Sequence, residues 1–326
     1  MKLATIADGS PDGSLVIVSR DLSSMTSAKE VAPNLQTALE RWDEAEPQLQ
    51  HLSDGLQAGK ARRVQPFDPR RALAPLPRAW QWLDGSAFQS HGDLMSTVFG
   101  MEKLPYDKRP LMYQGMSDRF LAAQEDAGFP SEADGIDFEG EFGIITDRVP
   151  LGTDAAGALR HIKLLVLIND WSLRAIAPIE MKTGFGWVQA KPPCSIAPVA
   201  VTPDELGEFW RDSRVQLNLD VYWNDERFGA ANGGAMAFGF DQLIAHAART
   251  RDLVAGTVIG SGTVSNDNYR EVGSSCIAER RGIEMLDEGA ARTGFMKFGD
   301  RVRMETLLPG GRSVFGAIEQ RVVKAG

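Results

Sequence analysis

The chain has 326 residues, of which 43% are hydrophobic and 24% are charged, and its formal net charge is −9. This balance is typical of a globular protein with one large domain or two. The sequence has no run of lysine and arginine, which argues against a nucleic-acid or anionic-membrane partner. Two distant cysteines exclude a disulfide scaffold, and the longest apolar run, LLVLI at 164–168, is too short to span a bilayer. Since the first residues also lack the apolar core of a signal peptide, we expect a soluble, cytoplasmic protein.

The residues before a proline-rich stretch predict a small N-terminal domain. Two strands joined by the turn DGSPDG are expected in KLATIADG and SLVIVSRD. A helix is expected over 32–59, where apolar residues recur every three or four positions, with a break near Pro47. Because prolines then recur through 66–77, we divide the chain into domains of residues 1–75 and 76–326.

The larger domain is predicted to consist mostly of strands separated by Gly, Asp, Asn or Pro turns. Its predicted strands are IDFEGEFGII, KLLVLIND, SIAPVAVT, VQLNLDVYWN, GTVIGSGTVS, CIAERRGIEML, DRVRMETLL and SVFGAIEQRV. Two helices are predicted, DAAGALRHI with Asp154 as its N-cap, and FDQLIAHAART. The pattern predicts an α+β fold, mainly β, with antiparallel or mixed sheets.

The segment GIDFEGEFGII, residues 135–145, alternates apolar and acidic side chains with the period of a strand. On such a strand Glu139 and Glu141 share one face with Asp137, and the two glutamates lie roughly 6.5–7 Å apart. Like charges held so close repel each other unless a positive group lies between them. The alternative interpretation is an amphipathic strand whose acidic face is in water.

A second acidic signal ends the apolar run in the segment LLVLINDWSLR. A carboxylate at the end of a buried strand is costly unless it is paired or binds a metal, although Asp170 could instead cap a turn before Trp171. Together, Glu139, Glu141 and Asp170 offer three hard oxygen ligands. Such a set suits Mg²⁺, Mn²⁺ or Ca²⁺ and not zinc.

Two further segments could contact a ligand. Lys191 lies between an apolar stretch and two prolines, where its ammonium could be partly desolvated and directed at a partner. In IGSGTVSN, residues 259–266, Gly260 and Gly262 allow backbone N–H groups to approach a ligand, and Thr263 adds a hydroxyl. The alternatives are a surface lysine before a Pro-Pro turn and a glycine-rich turn without a ligand.

Among the four histidines, His91 is the most suggestive, because Asp93 follows two residues later and could orient it. The alternative is a loop histidine without a chemical role. Cys276 could be a nucleophile, but nothing near it in sequence argues for activation, so we expect it to be structural.

Taken in order, these motifs resemble the fumarylacetoacetate hydrolase family. They are Glu139-x-Glu141, NDWSLR with Asp170, Lys191, GSGTVSN and SSCIAE, and the resemblance covers the chain from about Asp84 to its C-terminus. It implies a mixed β-roll catalytic domain, often in a homodimer, and the N-terminal segment resembles the small β-containing domain of the fumarylacetoacetase type.

The resemblance also implies a function for the candidate residues. A bound Mg²⁺, Mn²⁺ or Ca²⁺ would be held by Glu139, Glu141 and Asp170. The active-site lysine corresponds to Lys191. A glycine-rich strand end that holds the substrate carboxylate corresponds to Gly262 and Thr263.

Two positions depart from the family pattern. Larger members carry a further acidic ligand where our alignment places Ala87, and a catalytic histidine where it places Leu94. Shorter members use a histidine and a glutamate three residues apart, whereas His91 and Asp93 are two apart.

The function expected from this resemblance is a metal-dependent hydrolase of aromatic-compound degradation that cleaves a carbon–carbon bond in a diketo acid. Fumarylacetoacetate is the first expected substrate, followed by fumarylpyruvate or maleylpyruvate. His91, oriented by Asp93, would take a proton from water, and Lys191 would stabilise the enolate. The alternatives are a hydratase or decarboxylase that uses the same metal site, a non-catalytic ligand-binding member, and a purely structural protein.

Overall fold

The computed structural model describes residues 1–99 and 109–326, and β-strands predominate in it. The strands are β1 (Lys2–Ile6), β2 (Ser14–Val18), β3 (Ser24–Ser27), β4 (Gln65–Pro66), β5 (Gln81–Gly85), β6 (Met112–Gly115), β7 (Leu121–Ala122), β8 (Ala127–Phe129), β9 (Ile136–Asp137), β10 (Gly140–Thr146), β11 (Ile162–Asn169), β12 (Ser172–Leu173), β13 (Ser195–Ile196), β14 (Ala200–Val201), β15 (Trp210–Arg211), β16 (Arg214–Val215), β17 (Asn218–Trp223), β18 (Glu226–Asn232), β19 (Thr257–Gly260), β20 (Arg301–Glu305) and β21 (Ile318–Lys324). The α-helices are α1 (Leu35–Glu40), α2 (Trp42–Gln57), α3 (Gln89–Phe99), α4 (Ala155–Ala158), α5 (Ala177–Thr183), α6 (Phe240–Ala247), α7 (Tyr269–Val272) and α8 (Ile277–Glu288). The predicted α+β, mainly β, fold class is confirmed.

A large mixed sheet joins the N-terminal strands to the rest of the chain. Its order is β4-β3-β2-β1-β14-β11-β10-β19-β5-β6, with β13 also paired to β11 and β7 paired to β13. The junction is antiparallel, with Lys2 of β1 opposite Val201 of β14. The apolar side chains of α1 and α2 share one core with strands of both regions, including Leu39, Trp42 and Leu164. The N-terminal segment therefore extends the sheet that carries the rest of the fold.

The N-terminal helical segment breaks earlier than predicted. Helix α1 ends before Arg41, whose φ of −134° and ψ of 44° are not helical, and Pro47 lies inside α2. The break expected near Pro47 is therefore wrong. Ala45 and Leu49 on either side of the proline are buried, and this packing keeps the helix continuous although the ring removes one backbone hydrogen bond.

The acidic segment 135–145 is strand-like but interrupted. It forms β9 and β10, with Phe138 and Glu139 between them. The apolar residues Ile136, Phe138 and Phe142 lie in the core as the alternation predicts. The acidic face is also buried, since Glu141 is 0% exposed. The alternative of an acidic face in water is therefore wrong.

The predicted strand CIAERRGIEML is instead the helix α8. Cys276 is its N-cap, and the carboxylate of Asp137 accepts hydrogen bonds from the N–H groups of Ile277 and Ala278 at 2.7 and 2.9 Å. A carboxylate at a helix N-terminus satisfies free N–H groups and interacts favourably with the helix dipole. This cap lies about 140 positions away in sequence, so local pattern could not reveal it.

The two predicted helices are confirmed as α4, with Asp154 as N-cap, and α6.

A second sheet of five strands has the order β18-β17-β20-β21-β8. Strand β18 follows β17 through a two-residue turn at Asn224 and Asp225, whose φ angles are 50° and 66°. Positive φ at both positions is typical of the hairpin turn that Asn and Asp favour.

Within residues 1–99 and 109–326, no helix has the length and apolar character needed to cross a bilayer.

Candidate metal centre

Carboxylates from three segments of the large sheet meet in one cluster. Strand β10 is antiparallel to β11 and β19, and β19 is parallel to β5. This register brings together Asp84 near the end of β5, Glu141 on β10 and Asp170 immediately after β11. One oxygen of each lies within 4.8 Å of the others, and all three residues are buried. The cluster therefore provides three converging hard oxygen donors.

Two glycines make room for the cluster. A Cβ at Gly260 would overlap Oδ1 of Asp84 and lie 2.7 Å from Oε2 of Glu141. Gly262 has φ of 79°, and its N–H donates to Oδ1 of Asp84 at 3.2 Å. A side chain at either position would displace a carboxylate or strain the backbone.

Electrostatics in the cluster are unfavourable without a cation. Burial, followed by the charges of Asp84 and Asp170, raises the pKa of Glu141 well above its usual range. Neither carboxyl oxygen of Glu141 has a hydrogen-bond partner among the described residues. Burial and the charge of Asp170 raise the pKa of Asp84 to about 8. Buried oxygens without partners and converging like charges fit a site for Mg²⁺, Mn²⁺ or Ca²⁺.

We expect the metal-free protein to lose stability as pH rises from about 4 to about 8. The pKa of Asp84 is raised from 3.8 to about 8 on folding, so the folded protein binds more protons than the unfolded chain in this window. The contribution of Asp84 is complete below the lower value and lost through the upper one. Thermal melts in a chelator across this range should show the decline, and Asp84→Asn should flatten it. An unchanged slope in that variant would contradict the assignment.

A lysine forms the other side of the cluster. The Nζ of Lys191 donates to Oε1 of Glu139 and to Oδ2 of Asp170, each at 2.6 Å. Burial alone would lower the pKa of Lys191, but the charges of Asp170 and Glu139 outweigh it and raise the pKa above its usual value. The lysine is therefore an ammonium near neutral pH.

Glu139 has more partners than Glu141. It accepts hydrogen bonds from the hydroxyls of Ser172 and Thr263 and pairs with Arg174 at 3.0 Å as well as with Lys191. Burial would raise its pKa, but the charges of Arg174 and Lys191 outweigh burial and lower it. Glu139 is ionised and lies beside the three-carboxylate cluster, across Lys191. Its predicted role as a metal ligand stays a prediction.

Asp170 is held from several sides. Besides Lys191, it accepts hydrogen bonds from the hydroxyl of Tyr113 at 2.5 Å and from the thiol of Cys194 at 2.9 Å. Its backbone N–H donates to the carbonyl of Glu139 at 2.9 Å. These contacts direct the carboxylate into the cluster.

The glycine-rich segment contacts the carboxylates directly. The N–H of Gly262 donates to Asp84, and the hydroxyl of Thr263 donates to Glu139. Both predicted substrate-binding residues therefore lie in the wall of the site. Their contact with a substrate carboxylate stays a prediction.

His91 lies on α3, beside the start of α8. Its Nδ1 is 3.7 Å from Oε1 of Glu279, and these two residues form a second group of ligand-type atoms with Cys276. Glu139 forms a backbone bridge with Cys276, which places the start of α8 beside Glu139. Asp93 follows two positions after His91 on the same helix, and such positions point to different sides. Its predicted role in orienting His91 stays a prediction.

Four residues of the site were missed by the sequence analysis: Asp84, Tyr113, Arg174 and Glu279. Asp84 had a usable signal, because the segment QWLDG ends a strand in an aspartate just as LINDW does. Arg174 ends the motif NDWSLR, four residues after Asp170, so it also had a local signal, whereas Tyr113 and Glu279 are brought in by distant elements and carry none.

Family models match nearly the whole chain. Residues 81–323 match the model described as fumarylacetoacetate (FAA) hydrolase C-terminal, and residues 1–78 match that of fumarylacetoacetase N-terminal domain 2. No curated protein matches the chain by sequence.

Solved structures share the fold at low sequence identity. A maleylpyruvate hydrolase from Sphingobium sp. SYK-6, in complex with manganese (II) ion and pyruvate, has a TM-score of 0.66 at 14% identity, with all of both chains covered. A 5-carboxymethyl-2-hydroxymuconate delta-isomerase from Mycobacterium smegmatis has a TM-score of 0.62 at 19% identity with the same coverage. A 2-hydroxyhepta-2,4-diene-1,7-dioate isomerase from Mycobacterium marinum has a TM-score of 0.59 at 17% identity, covering 100% of this chain and 99% of the other.

Proposed function

Because the chain belongs to the fumarylacetoacetate hydrolase family, we propose that it is a metal-dependent hydrolase that cleaves a carbon–carbon bond in a diketo acid. The proposed substrates are fumarylacetoacetate and the acylpyruvates fumarylpyruvate and maleylpyruvate. The observation that supports this most is the convergence of Asp84 and Asp170 on Glu141, whose two carboxyl oxygens lack hydrogen-bond partners among the described residues.

Asp84, Glu141 and Asp170 would hold the ion, with Glu139 as a further ligand at the edge of the cluster. The set contains carboxylate oxygens alone, which favours Mg²⁺, Mn²⁺ or Ca²⁺. When bound, the ion would supply a Lewis acid that polarises a keto group and would offset the converging negative charge. A related fold is known with manganese (II) and pyruvate, which makes Mn²⁺ a useful ion for the experiments.

His91 is the proposed base, with Glu279 as the group that orients it. Asp84 and His91 each lie three residues before Ala87 and Leu94, the positions where our alignment sought the further acidic ligand and the catalytic histidine. A shift of three residues therefore supplies both groups. The Nδ1 of His91 and the Oε2 of Glu279 lack hydrogen-bond partners among the described residues, and the other oxygen of Glu279 accepts from the hydroxyl of Ser265.

These groups support a hydrolysis in which each has one proposed role. His91 accepts a proton from water, and the water oxygen forms a bond to the keto carbon while Glu279 stabilises the imidazolium. As that bond forms, the π pair of the keto group moves onto its oxygen; the C=O bond re-forms when the carbon–carbon bond breaks, and the electron pair of the broken bond remains on the leaving fragment as an enolate. The ammonium of Lys191 stabilises that developing charge. The imidazolium returns its proton to the enolate carbon, which leaves two carboxylic acids.

The function is tested by an ultraviolet assay of fumarylacetoacetate, fumarylpyruvate and maleylpyruvate with Mg²⁺, Mn²⁺ or a chelator, followed by product identification. We expect loss of the diketo absorbance with metal and two carbon fragments. Carbon dioxide or a hydrated or rearranged single product would instead support a decarboxylase, hydratase or isomerase. Metal and ligand binding without turnover would support the non-catalytic alternative. The resemblance also leads us to propose a homodimer, which light scattering tests.

We expect His91→Gln to lower turnover by about 10²–10⁴-fold without changing metal affinity, because it removes the base and leaves the carboxylates in place. Glu279→Gln should lower turnover by about 10²-fold, since a neutral side chain stabilises the imidazolium less well. Asp93→Asn is the matched control and should change little. Steady-state assays and metal titration by calorimetry give both quantities. A large loss of turnover in Asp93→Asn with none in Glu279→Gln would instead support Asp93 as the residue that orients His91.

A further inference from the structure

The segment that leads into Lys191 is organised around one carboxylate. Glu180, in the middle of α5, accepts hydrogen bonds from the backbone N–H groups of Val188, Gln189 and Ala190 at 2.9–3.1 Å. Three consecutive N–H groups that point at one anion form an amide nest. These contacts lower the pKa of Glu180, with the amides of Gln189 and Ala190 as the largest causes.

The amide nest lies one residue before Lys191 and is fixed on its other side as well. The carbonyl of Ala190 accepts a hydrogen bond from the N–H of Leu173 at 2.8 Å, on β12 and close to Asp170. Two prolines follow Lys191 and restrict the backbone there. The Cα of Lys191 is therefore held between the amide nest and two prolines with restricted backbone.

Ala190 is buried, but little packing is available to hold the residues before it. Phe185 is 98% exposed and Val188 is 85% exposed. Gly184 and Gly186 have φ of 72° and 99°, with open space around both. Trp187 packs edge-to-face on Tyr113, with ring centroids 6.2 Å apart. The contacts of Glu180 are thus the main polar restraint on residues 188–190.

We propose that Glu180 is a positioning residue that fixes Lys191 in its contact with Glu139 and Asp170. This inference rests on the proposed function, because it assigns Glu180 a part in the charge stabilisation supplied by Lys191. Without the carboxylate, the three N–H groups turn to water and the backbone before Lys191 relaxes. A displacement of about 1 Å at a reacting group can lower a rate by about 10²-fold.

The variants are Glu180→Ala, which removes the acceptor, and Glu180→Gln, which keeps one accepting oxygen. Glu284→Ala is the matched control. Glu284, on α8, accepts in the same way from the N–H groups of Arg292 and Thr293 at 2.6 and 2.8 Å, away from Lys191. Two quantities are measured: the turnover number, and the acylation of Lys191 by a lysine reagent, followed by peptide mass spectrometry with exposed Lys297 as reference.

We expect Glu180→Ala to lower the turnover number by about 10–100-fold and to raise the acylation rate of Lys191 several-fold. Glu180→Gln should lie between this variant and the wild type, and Glu284→Ala should match the wild type in both. Lys191 acylation does not depend on any substrate, so it tests the positioning role even if no diketo acid is turned over. Wild-type turnover and acylation in Glu180→Ala would overturn the proposal, as would equal losses in Glu284→Ala. If Glu180→Ala does not fold, the turnover and Lys191 acylation of Glu180→Gln test the proposal, and wild-type values of both would overturn it.

Discussion

Replacing Glu141 with glutamine is expected to abolish divalent-metal binding and to lower kcat/KM by about 10³-fold or more, while the metal-free protein becomes more stable. Glu141 is fully buried, and its oxygens face Asp84 and Asp170 without another partner in the part of the chain that the structure describes. Because its pKa is raised on folding, its ionisation destabilises the folded state, and that loss grows as pH rises. Glutamine resembles the protonated acid and cannot ionise. The stabilisation of the metal-free protein by Glu141→Gln should therefore be larger at about pH 9 than at about pH 5.

Thermal melts with and without Mn²⁺ separate the two effects. A site filled at about 100 times its dissociation constant stabilises a protein by about 2.7 kcal/mol. Wild type should show a metal-induced rise in Tm that Glu141→Gln lacks, although the variant starts from a higher Tm in chelator. Glu319→Gln makes the same change at an exposed position and should behave as wild type. A metal-induced rise that persists in Glu141→Gln would contradict a role for Glu141 as a ligand.

Local sequence periodicity predicts those secondary-structure elements of this fold that interactions between nearby residues stabilise. The alternation in 135–145 predicts an apolar face in the core, and Asp154 predicts the start of α4. Helix α8 is not predicted by local periodicity, because its N-terminus is stabilised by Asp137 from a distant strand. Tertiary contacts of this kind override local preference and leave no mark in a short window.

The residues of the candidate site also differ in whether a local sequence signal predicts them. Asp170 ends a buried apolar run, which is a local signal, whereas Asp84 joins the cluster through the parallel pairing of β5 with β19. Glu139 and Glu141 are two residues apart, yet folding lowers the pKa of the first and raises that of the second. Arg174 and Lys191 pair with Glu139, while Glu141 faces two carboxylates. The spacing of the glutamates predicts repulsion but not which of them is relieved.

Lys191→Met should give a different result from Glu141→Gln. The ammonium of Lys191 lies between Glu139 and Asp170, so its removal leaves the carboxylates in place and takes a positive charge away from them. A divalent cation should therefore bind as tightly as before or more tightly. Turnover should fall by about 10²–10³-fold, since one donor to the developing enolate is lost. In chelator the variant should be less stable, because two buried carboxylates lose their partner.

Calorimetric titration with Mn²⁺ beside steady-state assays shows whether these effects separate. Lys163→Met is the matched control, because Lys163 also pairs with an aspartate, Asp147, at 3.1 Å, outside the candidate site. It should keep wild-type turnover and metal affinity. Lys191→Arg keeps the charge but not the geometry of a compact ammonium, and we expect it to recover part of the stability and little of the turnover. If Lys191→Met lost metal binding as Glu141→Gln does, the lysine would serve to hold the carboxylates together and the stabilisation of the enolate would need another donor.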